Sequence, residues 1–142
     1  MRKMALDIGT VRIGVAFSDP MSIIASGYES YTRTKNLEHD LQYFAKLAKE
    51  KECDTIVLGL PLNMDGTEGP KVQEVRAFAE ELKKYIDIQI DFEDERLTTV
   101  EAEELLIESG MRREERRKVI DKVAATLILE YYLRKNENKK GV

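Results

Sequence analysis

The sequence predicts one α/β domain, built on a mixed five-stranded sheet with helices on both faces. Three strand-like runs open the chain before any helical pattern, and two further strand-like runs then alternate with amphipathic stretches. Strands joined by short loops pair antiparallel, whereas strands joined through a helix pair in parallel, so this order mixes both arrangements in one sheet. The chain of 142 residues, 42% of them hydrophobic, is long enough for one core.

The first three strands are predicted over residues 3–8, 13–18 and 22–33. Residues 9–12, Gly-Thr-Val-Arg, separate the first two runs and favour a tight hairpin turn. We therefore expect these strands to form an antiparallel meander.

Helices and strands alternate in the middle of the chain. Apolar residues recur at helical spacing and predict a helix over 36–51. Residues 55–60 are apolar without alternation, which is typical of a strand covered on both faces. A loop is expected over 61–69, after which Pro70 begins a helix that should end near residue 85.

The last third contains one more strand and two helices. Residues 88–92 alternate apolar and polar side chains and predict the fifth strand. The pattern Thr98-x-x-Glu101 predicts a capping box that opens a helix, and Gly110 should stop it. The final helix is predicted over 114–134, and the polar residues 135–142 are expected to form a flexible tail. Residues 1–134 thus form the predicted single domain.

The composition limits the chemistry that the chain can perform. One cysteine and one histidine exclude an intrachain disulfide framework and zinc sites made of cysteine and histidine, so carboxylates must hold any metal. No apolar run approaches the roughly 20 residues of a membrane span, and we expect a cytoplasmic protein without a membrane partner. The net charge of −4 is unusual for a nucleic-acid partner, which normally has a basic footprint.

The first candidate site residue is Asp7, at the end of the first strand. It opens the pattern Asp-x-Gly-Thr-x-x-x-Gly over 7–14. The glycines permit a close turn whose amides, together with Thr10, could contact phosphate oxygens or a metal-bound ligand. A solvated aspartate beside a glycine-rich hairpin turn explains the same pattern.

Further acidic side chains follow in the second half of the sequence. Residues 93–95, Glu-Asp-Glu, lie directly after the last strand, and Asp121 lies beside the apolar stripe of the final helix. These acids could instead stabilise a helix N-terminus or pair with neighbouring lysines. Mg²⁺ and Mn²⁺ prefer oxygen ligands, and such ions can promote hydrolysis of a phosphodiester without histidine or cysteine. The acids therefore indicate a divalent-metal site for phosphodiester chemistry.

Four segments resemble the signature segments of the bacterial YqgF family, which is also called RuvX and contains Holliday-junction-resolvase-like proteins. The segments are Leu6–Asp19, Gly59–Pro70, Asp94–Thr99 and Asp121–Ala125, and the resemblance covers residues 1–134. The family implies an RNase H-like fold and Mg²⁺- or Mn²⁺-dependent endonucleolytic cleavage of structured nucleic acid. It also implies a role in ribosome biogenesis, as a hydrolase that matures the 5′ end of pre-16S ribosomal RNA.

Carried over by position, the resemblance implies that Asp7, Glu95 and Asp121 are the catalytic and metal-binding acids. The related resolvases have a glutamate at the end of the central strand, where this chain has Gly-Leu-Pro at 59–61. Glu95 must therefore supply that carboxylate from a different strand. Asp94 is an alternative to Glu95.

Basic side chains are candidate phosphate ligands. Five of the seven residues over 112–118 are lysine or arginine, and they immediately precede Asp121. Local lysine and arginine provide affinity for phosphate, although such a run can also be a solvated helix face. The predicted nucleic-acid contacts are Thr10, Arg12, Arg96, Arg112, Arg113, Arg116 and Arg117, and the second-line candidates are Asn63, Asp65, Lys71 and Asp94.

The expected partners are pre-16S ribosomal RNA within the small-subunit precursor and branched DNA, bound by a monomer or a homodimer. Two other functions fit the sequence. One is a non-catalytic nucleic-acid or ribosome-assembly binding module with structural acids. The other is a phosphate-binding relative of actin-like ATPases and sugar kinases, because Asp-x-Gly-Thr also opens their phosphate loop, although the chain is too short for their two lobes.

Overall fold

The structure is a computed structural model that describes the backbone of residues 1–140 and the side chains of residues 1–136. The strands in this region are β1 (Arg2–Ile8), β2 (Arg12–Ser18), β3 (Ala25–Thr32), β4 (Cys53–Leu60) and β5 (Gln89–Asp94). The helices are α1 (Leu37–Glu50), α2 (Pro70–Leu82), α3 (Thr98–Glu108) and α4 (Arg113–Lys140).

The five strands form one mixed sheet in the order β3-β2-β1-β4-β5. The pairs β1–β2 and β2–β3 are antiparallel, and the pairs β1–β4 and β4–β5 are parallel. The predicted meander and mixed sheet are confirmed. Because β1, β4 and β5 are parallel, their carboxyl ends at Ile8, Leu60 and Asp94 meet at one edge of the sheet.

Helices cover both faces of the sheet, as predicted. The side chains of α1 and α2 pack on Leu6 and Leu58, among others, and form the larger core. Helix α4 packs on the opposite face, against Ala5 and Val57. Helix α3 lies on the outside of α4, which it contacts through Ala102. Successive strand residues point to opposite faces, so each strand contributes to both cores.

The last helix is longer than predicted. It continues through Lys140 instead of ending at residue 134, so residues 135–140 of the predicted tail are helical. The helix has tertiary contacts this far along the chain because Leu133 is buried against the sheet and the Lys135 ammonium lies 2.9 Å from Oε2 of the buried Glu93. Residues 141–142 of the predicted tail lie outside the described residues.

The predicted capping box at the start of α3 is wrong. Thr98 is the first residue inside the helix, and Leu97 precedes it without a side-chain cap. The Thr98 side chain is buried, and its hydroxyl donates to the Glu95 carbonyl at 3.0 Å. Glu101 instead accepts from the Tyr131 hydroxyl of α4. The helix does end before Gly110, as predicted.

Within residues 1–140, none of the helices combines the length and the apolar character needed to cross a membrane.

Candidate active site

Asp7 lies near the carboxyl end of β1, on the face that α4 covers. Its Cα pairs with that of Gly14 on β2, and its side chain is only 9% exposed. An ionised carboxylate in such a position loses most of its hydration. The burial therefore excludes the interpretation of Asp7 as a solvated residue beside a turn.

Gly14 allows α4 to bring Asp121 next to Asp7. A Cβ atom at position 14 would lie 1.8 Å from the Asp121 carbonyl oxygen, so only glycine permits this helix to lie directly on β2. The side chain of Asp121 extends toward the turn that follows β1, where its Oδ1 would lie 3.7 Å from a Cβ atom at Gly9. The acid on the final helix thus reaches the end of the first strand.

Glu95 reaches the same place from the end of β5. Its backbone N–H donates to the Leu60 carbonyl at 3.1 Å, which keeps it beside the end of β4. Its side chain lies over Gly59, where a Cβ atom would be 2.6 Å from Oε2. This oxygen is buried and has no hydrogen-bond partner among the described residues. Glycine at the end of β4 leaves the space that the Glu95 carboxylate occupies.

The three carboxylates line one cavity of about 360 Å³ at the carboxyl edge of the sheet. Its wall also includes the turn after β1, the start of the β4–α2 loop and the first turns of α2 and α3. The polar and charged residues that line it are Asp7, Thr10, Arg33, Lys71, Glu74, Glu95, Thr99 and Asp121. The structure therefore brings the three acids together at one site, with Thr10 from the predicted nucleic-acid contacts and Lys71 from the second-line candidates.

Burial and mutual repulsion shift the pKa values of the three acids. Burial raises the pKa of Asp7. Burial, followed by the negative charge of Asp7, raises the pKa of Glu95 to about 10, so Glu95 keeps its proton at neutral pH and donates it to Asp7. Burial and the charge of Asp7 raise the pKa of Asp121 to about 6, while Arg12 acts in the opposite direction. None of the three carboxylates forms a salt bridge with a described lysine or arginine, so their mutual repulsion is not offset by direct pairing.

A divalent cation fits this cluster chemically. The donors are all carboxylate oxygens, as hard ions prefer, and Oε2 of Glu95 is unpartnered. Within residues 1–136, no three aspartate, glutamate, histidine or cysteine side chains stand in ready-made ligand geometry. Asp7, Glu95 and Asp121 are the residues that would hold such an ion, and ionised Glu95 with reoriented carboxylates would suit it.

The alternative acids lie elsewhere. Asp94 accepts from the Arg96 guanidinium at 2.8 Å and lines a separate pocket with Met64 and Leu97. Its neighbour in sequence, Glu95, is therefore the acid that enters the carboxylate cavity. Arg96 is occupied by this ion pair and by the Met64 carbonyl, to which it donates at 3.2 Å.

The second-line candidates in the β4–α2 loop form a local turn. Asp65 accepts from the backbone and the hydroxyl of Thr67, and Asn63 donates to the same hydroxyl at 2.9 Å. Both side chains are exposed. They shape the loop beside the cavity, whereas Pro61 and Lys71, at its two ends, line the cavity itself.

The arginines of the basic run at the start of α4 fall into two groups. Arg112, Arg113 and Arg117 are exposed and available to a nucleic acid. Arg116 is half-buried, pairs with Glu103 of α3 at 2.9 Å and donates to the Met111 carbonyl. It joins α3 to α4. Arg12 donates to the Arg117 carbonyl at 3.4 Å and thereby connects the hairpin to the start of α4.

Sequence reasoning missed two charged residues of the cavity, Arg33 and Glu74. Arg33 directly follows β3, beside the Gly9–Arg12 turn, so its position after a strand of the predicted meander could have indicated it. Glu74 lies one turn after Lys71 on α2, and the helical period could have placed both on one side.

Comparisons with known proteins identify relatives over nearly the whole chain. The family model described as "RuvX: Holliday junction resolvase" matches residues 1–135. A protein of Syntrophomonas wolfei named "Putative pre-16S rRNA nuclease" is 49% identical over 133 residues, which cover 94% of each chain. A protein of the same name from Halalkalibacterium halodurans is 45% identical over 140 residues, covering 98% of this chain and 100% of that protein.

The fold also resembles that of a solved junction resolvase. The RuvC protein of T. thermophilus in complex with a Holliday junction substrate superimposes with a TM-score of 0.61 over 96% of both chains, at 11% identity. This likeness concerns the fold alone and shows it to be RNase H-like. The family match and the close relatives, each covering nearly the full length, show that the chain belongs to the RuvX family.

Proposed function

We propose that this protein is a metal-dependent endonuclease that hydrolyses phosphodiester bonds in structured nucleic acid, with the 5′ end of pre-16S ribosomal RNA as its substrate. The observation that carries the proposal is the cavity in which three converging carboxylates include one buried oxygen without a partner. Relatives named as pre-16S rRNA nucleases support the choice of RNA, and this role would place the protein in the cytoplasm.

In this proposal Asp7, Glu95 and Asp121 hold Mg²⁺ or Mn²⁺. The bound ion would supply the positive charge that stabilises the transition state at phosphorus and would make the attacking water more acidic. Asp7 and Glu95 would hold the ion as carboxylates, and its positive charge would oppose the effect of burial that raises the pKa of Glu95. The low exposure of both carboxylates excludes bulk water and strengthens their attraction for a cation.

The substrate would approach along the positive charges around the acidic cavity. Arg112 directly precedes α4, the helix that carries Asp121, and Arg113 and Arg117 lie in its first turns; all three are exposed. Phosphate affinity depends on such local charges, so a net charge of −4 is compatible with binding. Thr10 lines the cavity, where its hydroxyl would donate to a phosphate oxygen.

The decisive experiment compares cleavage by the wild type, Asp7→Asn and Asp87→Asn, using a pre-16S RNA 5′ end and a four-way DNA junction with Mg²⁺ or Mn²⁺. Asp87 is an exposed residue before β5, lining a different pocket, so its variant controls for the chemical change. We expect Asp7→Asn to lose at least about a hundredfold in rate, as removal of a group that stabilises the transition state does. Asp87→Asn should retain wild-type activity.

Equal cleavage by the wild type and Asp7→Asn would refute the assignment of the acids. Retained RNA binding without cleavage in any divalent metal would instead support the non-catalytic binding module.

A further inference from the structure

Arg33 is fixed beside the carboxylate cavity by three contacts that involve no carboxylate. Its backbone N–H donates to the Val11 carbonyl at 2.9 Å, and its Nη1 donates to the Gly9 carbonyl, also at 2.9 Å. Its guanidinium carbon lies 6.0 Å from the centre of the Phe78 ring of α2. These contacts hold the guanidinium between the turn after β1 and helix α2.

The guanidinium keeps donors for a ligand. Arginine has five N–H donors, and only one of them is used in the bond to Gly9. Arg33 forms no salt bridge with any described acidic side chain, although four acids share the cavity. An arginine ordered by a carbonyl and an aromatic ring, with its remaining donors free, is suited to bind an anion.

Lys71 supplies a second positive charge to the same cavity. It lies in the first turn of α2, is exposed, and forms no salt bridge among the described residues. By contrast, Arg76 on the next turn pairs with Glu68 at 2.9 Å and does not line the cavity. Arg33 and Lys71 are thus the two cations of the cavity, and neither neutralises its acids through a salt bridge.

We propose that Arg33 and Lys71 form a phosphate-binding subsite that holds a backbone phosphate of the substrate strand against the carboxylate cavity. The inference rests on the proposed function, because it places the nucleic-acid strand in this cavity. Arg33 donates two hydrogen bonds to the phosphate, and Lys71 provides a point charge from the first turn of α2. The acids and the cations of the cavity then serve different parts of one ligand, the metal and the phosphate.

The test measures how strongly a short labelled single-stranded RNA binds at several salt concentrations, in an Asp7→Asn background that cannot cleave it. The variants are Arg33→Ala, Arg33→Lys and Lys71→Ala. The control is Lys83→Ala, which removes one charge just beyond the C-terminal end of α2 from a lysine paired with Glu80. Thermal midpoints are measured in parallel, because Arg33→Ala also removes the partner of the Gly9 carbonyl.

We expect Arg33→Ala and Lys71→Ala each to weaken binding about tenfold and to lower the slope of log Kd against log salt concentration by about 1, whereas Lys83→Ala changes neither. Arg33→Lys should keep the slope but lose affinity, because lysine cannot donate in the bidentate geometry. Lys71→Ala should weaken binding and lower the slope without a change in thermal midpoint.

An unchanged salt slope in both alanine variants, with RNA still bound, would overturn the phosphate subsite and leave the proposed nuclease activity untouched. A wild-type protein that never cleaves, but whose variants show the expected slopes, would overturn the nuclease and leave the subsite.

Discussion

At the scale of single residues, Glu95 is an acid in an unfavourable environment for its charge. It is 7% exposed, its Oε2 has no partner within the described structure, and the neighbouring charge of Asp7 opposes its ionisation. A residue in this environment destabilises the fold unless a cation is present, which is the expected compromise between stability and function at an active site.

Glu95→Gln should therefore stabilise the metal-free protein while abolishing cleavage. In the folded state the pKa of Glu95 is raised from 4.5 to about 10, so the folded state binds the proton more tightly than the unfolded state. The contribution of the Glu95 proton to the free energy of unfolding is fully present at pH values below 4.5 and is lost as the pH rises toward 10. Glutamine removes this loss, and we expect a gain of about 1–3 kcal/mol at pH 8 and little at pH 4.

Thermal unfolding at the two pH values measures this effect. Glu108→Gln, at the exposed end of α3, is the matched control and should leave the midpoint unchanged at both. A Glu95→Gln midpoint below that of the wild type at pH 8 would contradict the assigned protonation.

Metal affinity should follow the same titration. Binding of Mn²⁺ must displace the Glu95 proton, so the affinity should rise about tenfold per pH unit between pH 6 and 8. Calorimetry in buffers of different ionisation enthalpy would count the released protons. Release of no proton at pH 7 would show that the raised pKa of Glu95 does not govern the binding.

At the scale of elements, the close packing of α4 on the sheet decides the geometry of the site. The glycine on β2 lets the Asp121 backbone lie directly on the sheet, and the glycine on β4 leaves room for both Glu95 and Ile128. The sequence pattern around Gly14 predicted a turn and a phosphate contact, but it could not reveal this second role. A glycine required for the approach of a helix 107 positions later leaves no local sequence signal.

Gly14→Ala should be strongly destabilising. The added methyl group would lie 1.8 Å from a backbone oxygen, so α4 must move away from β2. We expect a loss of at least about 3 kcal/mol in unfolding free energy, the upper part of the range for overpacking, together with loss of cleavage. Denaturant unfolding measures the effect. The control is Gly69→Ala, where the nearest atom is Oδ1 of the flexible Asn63 side chain at 3.3 Å, and it should cost less than about 1 kcal/mol.

Substitutions of Arg116 and Arg113 should distinguish a structural role from a nucleic-acid-binding role within the same basic run. Arg116→Ala breaks the ion pair with Glu103 and the bond to Met111, so it should lower the unfolding free energy by about 1 kcal/mol. Arg113→Ala should leave stability unchanged but weaken RNA binding and lower its salt slope. If Arg116→Ala weakened binding at unchanged stability, its role would be the phosphate contact predicted from the sequence.

At the scale of the whole molecule, the net charge of −4 governs which nucleic acids are bound. Several acids belong to the cavity, and the exposed arginines are concentrated at the start of α4. The protein should therefore bind random duplex DNA weakly and in a strongly salt-dependent manner, while structured RNA binds more tightly. Fluorescence anisotropy at 50 and 200 mM salt compares the two, and near-stoichiometric binding of random DNA at the higher concentration would contradict the assignment.

The sequence was sufficient for the mixed sheet, the antiparallel meander and the helices on both faces, because periodicity and local patterns determine these features. The three acids that the family resemblance implies line one cavity, and their catalytic role stays a prediction. The sequence was insufficient where distant segments meet. Arg33 and Glu74 enter the cavity through tertiary packing, and Arg116 pairs with a helix that precedes it. Lys135, in the part of α4 past residue 134, pairs with Glu93, which is far away in the chain.

The order of the elements along the chain also determines when the site can exist. During synthesis the meander and its Asp7 emerge first, Glu95 follows after β5, and Asp121 arrives only with the final helix. A nascent chain that lacks α4 contains Asp7 and Glu95 but not Asp121, and the sheet face that α4 covers is still exposed. Such a chain cannot assemble the cavity. Under the proposed function, activity would therefore begin only when the last helix has docked, and an incomplete chain released early could not cleave the ribosomal RNA around it.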